Sequence, residues 1–149
     1  MKFSTREDID APISQVYSAV TDFDGFERQI LRRGVDLRRD EALPSHQIGA
    51  RWYAKFQWRG RAQDLEAELV SVSPNEGYAI ESRTGGLLCT GVIDLVALSK
   101  ARTRMFVSLD LKPTTLSARL LVQSLRLGKG GLTKRFKARV AKFAGSINS

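Results

Sequence analysis

Ile9-Asp10-Ala11-Pro12-Ile13-Ser14-Gln15-Val16-Tyr17-Ser18-Ala19-Val20-Thr21-Asp22-Phe23-Asp24-Gly25-Phe26 is the stretch that decides the architecture. Upstream of it, Phe3, Thr5, Glu7 and Ile9 share one side of an alternating segment, which predicts a strand over residues 2–9. Pro12 suits the first turn of a helix, where its missing N–H costs nothing. Val16, Tyr17 and Val20 give that helix an apolar side. Thr21 or Asp22 can cap a second helix, along which Phe23, Phe26 and Ile30 recur at helical spacing, and Gly34 is a natural stop.

Downstream the period falls to two. A short strand is expected over 35–41. Trp52, Ala54, Phe56 and Trp58 alternate with charged and polar residues over 51–59, and Leu65, Ala67 and Leu69 alternate with acids over 61–73. Further strands are expected over 78–84, 87–98 and 102–112. Arg59-Gly60, Ser73-Pro74-Asn75, Gly85-Gly86 and Ser99-Lys100-Ala101 mark the turns. Connections this short favour antiparallel neighbours, since a parallel crossover needs a dozen or more residues.

Pro113 closes the last strand, and Thr114 or Thr115 can cap a final helix. Leu121, Leu125, Gly128, Leu132, Phe136, Val140, Phe143 and Ile147 then recur every three or four residues, predicting one long helix with one apolar stripe. Such a stripe needs an apolar surface, and the concave side of the sheet is the large one on offer. The fold class expected is therefore α+β, in the order β-α-α-β6-α, as a single domain over 1–149. A curved antiparallel sheet wraps the long C-terminal helix and leaves a cavity between them.

Composition narrows the functions. The 149 residues hold one His and one Cys, too few for a Cys/His zinc site, and Cys89 alone cannot form an internal disulfide. Neither a metal nor a cofactor is expected. No apolar run approaches the ~20 residues that span a bilayer, and the first residues lack the apolar core of a secretion signal, so a cytoplasmic location is expected. The net charge of +8 is unevenly placed: residues 111–149 carry nine Lys and Arg and no acid, whereas the first 110 carry 15 basic and 16 acidic residues.

Ile9-Asp10-Ala11-Pro12, Val16-Tyr17, Val20 and Asp22 match the pattern I-x-A-P-x-x-x-V-[WY]-x-x-[LV]-x-D, which opens many members of the START-like (SRPBCC) superfamily. With the order of elements, the whole chain resembles that superfamily, which includes the birch-pollen allergen and the polyketide cyclase and lipid-transport families. The resemblance implies a helix-grip fold with a cavity between sheet and C-terminal helix. It does not choose between carriers, cyclases and subunits of larger enzymes.

Trp52, Phe56, Trp58, Tyr78, Met105 and Phe136 are the candidate lining of a cavity for a small hydrophobic ligand. Gly128, on the inward stripe with Gly130 and Gly131 near it, leaves room facing the sheet or breaks the helix. Arg51, Lys55 or Arg139 could meet an anionic head group at the rim. Catalytic candidates are thin. Glu7 shares a side with Phe3 and Ile9, and with Tyr78 and Tyr53 it is the nearest approach to an acid–base set. Alternation turns Glu66, Glu68, Asp94 and Asp110 outward, where they would pair with Arg83, Arg102 or Arg104. His46 belongs to a surface loop, and Cys89 reads as an inert thiol in a strand.

The expectation is a non-enzymatic protein that binds or transports a small hydrophobic or amphipathic molecule. The alternative in the same cavity is an enzyme of the polyketide cyclase/dehydratase kind. A third reading is an interaction module whose basic segment, residues 119–142, docks an acidic protein or an anionic membrane. Nucleic acid is the weakest partner, because the aromatics fall on apolar faces rather than among the basic residues.

Overall fold

The computed structural model describes residues 1–147. The chain runs β1 (Lys2–Ile9), α1 (Ile13–Val20), α2 (Phe23–Arg32), β2 (Asp36–Arg39), β3 (Arg51–Trp58), β4 (Arg61–Ser73), β5 (Gly77–Thr84), β6 (Leu87–Ser99), β7 (Arg102–Pro113), α3 (Leu116–Leu127) and α4 (Lys129–Ile147). The strands form one antiparallel sheet in the order β1-β7-β6-β5-β4-β3-β2. This is the α+β, helix-grip arrangement, with the second strand shorter than 35–41.

Local chemistry explains the joints. Pro12 sits just ahead of α1, and the Thr103 hydroxyl donates to the Ala11 carbonyl at 2.8 Å, fastening the strand-to-helix corner onto β7. Both groups are buried, where an unpaired carbonyl would be costly. Asp22 caps α2 by accepting from the Gly25 amide at 3.1 Å, and Thr115 caps α3 by accepting from Ala118. A bulge between Leu69 and Ser71 bends β4.

Cross-strand register assigns the faces. Phe3, Glu7 and Ile9 lie opposite Leu109, Met105 and Thr103, and Trp52 lies opposite Ala67. These share the concave side. Two clusters fill it. Ile9, Val16, Val20, Leu95, Met105, Ala144 and Ile147 pack beneath α1 and the end of α4. Phe23, Ala50, Trp52 and Leu69 pack beneath α2. On the other face Arg51 bridges Glu66 and Glu68, each at 2.7 Å. Arg104 pairs with Asp8 of β1 and Arg102 with Asp10 just beyond it, rather than with Asp94 or Asp110, because Asp8 stands directly opposite Arg104 whereas Asp94 on β6 stands opposite Phe106.

The C-terminal stretch departs from one continuous helix. Gly128 ends α3, and α4 begins at Lys129. Three glycines in four residues cost about 1 kcal/mol each against alanine, which makes this the weakest point of the stripe. Leu132, Phe136, Val140 and Phe143 are half-buried and Ile147 is buried, so the stripe does face inward. Its seat is the β1 edge and α1, where the Phe136 and Phe3 rings lie 5.9 Å apart.

Candidate functional site

With α4 seated toward β1, the opposite half of the concave face stays uncovered except by α2. There a cavity of about 410 Å³ opens between α2 and strands β2 to β5. Phe23, Phe26 and Ile30 form its roof. Leu37, Trp52, Ala54, Phe56, Leu65, Ala67, Tyr78 and Ile80 form its floor and walls. Alternation puts every second residue of four strands on this floor, and helical spacing puts three apolar residues of α2 above them.

Aromatic packing fixes the shape. The Phe23 ring lies 5.1 Å from Tyr78 and 5.7 Å from Trp52, and Phe26 lies 5.8 Å from Phe143 of α4. Such tilted and edge-on contacts are favourable geometries for aromatic pairs. The cavity is therefore held open by walls that are themselves packed.

Among the described residues, Glu27, Tyr78 and the Trp52 indole N–H bring polar groups to the lining. Glu27 accepts from the Trp52 indole N–H at 2.7 Å and lies 3.5 Å from the Arg39 guanidinium. Arg39 also reaches Asp24 at 3.1 Å, and the Ser45 hydroxyl donates to the same carboxylate at 3.4 Å. The network closes one side of the cavity with paired charges. Burial pushes the Tyr78 phenol well above its ordinary range, with the nearby Tyr17 adding to the effect. Tyr78 is thus a neutral hydroxyl at physiological pH, a hydrogen-bonding group rather than a base.

Trp52, Phe56 and Tyr78 are brought together at this cavity. Trp58 is exposed, with the Arg59 guanidinium 4.5 Å over its ring, and does not line it. Met105 is fully buried in the cluster beneath α1. Phe136 packs on Phe3, Arg139 is exposed, and a side chain at Gly128 would meet open space apart from the Leu125 carbonyl at 3.9 Å. Arg51 is engaged with Glu66 and Glu68 on the outer face.

Glu7, Tyr53 and Tyr78 do not converge. Glu7 is half-buried on β1, at one edge of the sheet, beside Met105. Tyr53 lies beneath the Arg38 guanidinium, 5.1 Å from its ring, in a groove on the outer face. That groove is larger, about 970 Å³, but Asp36, Asp64 and Glu66 face Arg38, Lys55 and Arg83 within it. Charges of both signs suit the groove to water and polar groups, whereas the smaller space beneath α2 is apolar. Among the described residues no cluster of three His, Cys, Asp or Glu could hold a metal ion. His46 is exposed, and burial pushes the Cys89 thiol above its ordinary range, away from the reactive thiolate.

Sequence alone did not single out Glu27, nor Phe23, Phe26 and Ile30 as a roof. Glu27 stands four residues after Phe23 and next to Phe26, so its position on the inward face of α2 could have been read from spacing alone.

No family model and no curated protein matches the sequence. Solved structures do match along nearly the whole chain. Norcoclaurine synthase of Thalictrum, as a point mutant with a transition-state analogue, matches with a TM-score of 0.68, 11% identity and coverage of 99% of this chain and 93% of that one. An aromatase/cyclase of Streptomyces matches with a TM-score of 0.66, 11% identity and the same coverage. A protein of Thermus thermophilus matches with a TM-score of 0.64, 15% identity and coverage of 99% and 97%. At such identities the likeness shows the fold alone, and that fold is the helix-grip arrangement.

Proposed function

We propose that this protein binds a small hydrophobic molecule in the cavity beneath α2, with one polar end of the ligand at Tyr78. The observation that carries this reading is a pre-formed apolar space of about 410 Å³ whose lining among the described residues is apolar apart from Glu27, Tyr78 and the Trp52 indole N–H. Its volume falls in the range of small-molecule sites, roughly 300–1,000 Å³. Placing the ligand under α2 rather than under the C-terminal helix accounts for the roles of Phe23, Phe26 and Ile30.

A binder fits better than a cyclase. Glu27, the carboxylate at the cavity, is already committed to Trp52 and Arg39. Tyr78 is too weak an acid to shuttle protons near neutral pH.

The test is titration with an environment-sensitive apolar dye, followed by displacement with candidate hydrophobic ligands. Ala67→Leu places a larger side chain on the floor and should lower dye affinity at least tenfold while the far-ultraviolet circular dichroism is kept. Equal binding by both proteins, or none by the unaltered chain, would refute the reading.

A further inference from the structure

Helix α3 presents a crest of leucines away from the protein. Leu116, Leu120 and Leu127 are 73%, 59% and 92% exposed. At about 100° per residue the three fall within roughly 40° of one another around the axis. Ala118 and Val122, the buried residues that seat the helix against β7, lie on the opposite side. Single exposed leucines are ordinary, but a stripe of three along one helix is a surface that a partner covers.

The surroundings of the crest state which partner. Arg119 and Arg126 flank it on one side, Ser117 and Ser124 on the other, and Lys129 comes directly after. All nine basic residues between 111 and 147 are exposed, none is in an ion pair among the described residues, and this stretch holds no acid. A second copy would bring like charges face to face, which opposes pairing. The crest of a three-turn helix also falls far short of the ~800 Å² per partner of a stable protein interface. A nucleic acid would meet the arginines but leave the leucines uncovered. A bilayer bearing anionic lipid satisfies both: leucines enter the boundary between head groups and acyl chains while flanking cations meet lipid phosphates.

We propose that α3 docks this protein on anionic membranes, with Leu116, Leu120 and Leu127 inserted at the head-group boundary and Arg119 and Arg126 on the lipid phosphates. The proposal is independent of the cavity beneath α2, which lies on another part of the sheet.

The experiment is co-sedimentation of the full chain with vesicles of phosphatidylcholine, alone or with one third phosphatidylglycerol. Binding should be at least tenfold stronger to the anionic vesicles, as expected at roughly fivefold for each basic residue at the surface. It should weaken in high salt. Leu116→Ser, Leu120→Ser and Leu127→Ser combined should lower it at least tenfold while circular dichroism and thermal midpoint are kept. Arg119→Gln with Arg126→Gln should abolish the preference for anionic lipid. If the combined leucine variant is poorly folded, Leu127→Trp alone reports insertion through a blue shift of the added indole's emission on anionic vesicles. Three results would overturn the proposal: no binding to anionic vesicles, equal binding by a folded leucine variant, or a solution dimer that the leucine changes dissolve.

Discussion

The Trp52 indole N–H donates to Glu27 at 2.7 Å, so floor and roof of the cavity are joined by one charge-assisted hydrogen bond. Trp52 belongs to β3 and Glu27 to α2, which also meet through the Phe23 and Trp52 rings. Because a cavity forfeits contacts that a solid core would supply, directional bonds of this kind, with those of Arg39 to Asp24 and Glu27, help to hold the roof in place.

Trp52→Phe keeps an aromatic ring but removes the donor. Hydrogen bonds to charged groups contribute roughly 1.5–3 kcal/mol, so urea unfolding should show a loss of about 2 kcal/mol. Glu27→Gln, which keeps an acceptor, should cost less. A Trp52→Phe loss that is undiminished when Glu27 is already replaced by Leu would show that ring packing, not the bond, dominates.

Tyr78 sets an alkaline limit. Its folded pKa is raised from 10.0 by burial, so above that pH the unfolded chain has lost the phenolic proton and the folded chain still holds it. Where the folded state binds more protons, stability falls as pH rises. The contribution is absent at neutral pH and grows above pH 10, by at most about 1.4 kcal/mol per pH unit. Tyr78→Phe should flatten the fall measured by urea unfolding between about pH 9 and about pH 11. Tyr17, raised by burial in the same way, leaves part of it in place.

Two glycines should answer oppositely to alanine. Gly77 has φ +144°, and a Cβ there would fall 1.9 Å from the Ile93 carbonyl oxygen, so Gly77→Ala should cost more than about 3 kcal/mol or prevent folding. Gly128 has φ −106° and open space around it. Gly128→Ala should leave stability unchanged or raise it by about 0.4–1 kcal/mol, with a gain in helical circular dichroism.

The sequence carried the fold further than the site. Alternation from Trp52 to Leu111 is a direct imprint of a sheet with one wet face, and Pro12 with Asp22 marks helix starts by their own chemistry. What spacing could not give is the line along which α4 crosses the sheet. The same stripe from Leu132 to Ile147 could cover the middle of the bowl or its β1 edge. The choice falls to fits such as Phe136 on Phe3 and Ile147 beneath α1, which exist only in three dimensions. Met105 is therefore a core residue, Phe136 packs on Phe3 at the β1 edge, and the space lies under α2. Leu116, Leu120 and Leu127 escaped notice for a related reason: an apolar residue reads as interior until the seating of its helix is known.

The pairing of β1 with β7 has a consequence for synthesis. Lys2 lies opposite Asp110 and Ile9 opposite Thr103, so β1 waits until β7, the last strand in chain order, is made before it has a mate. At typical elongation rates that delay is roughly five to twenty seconds. During it Phe3 and Ile9 are open to chaperones and to other nascent chains, and the charges of Arg6, Glu7 and Asp8 between them oppose association of the unpaired strand.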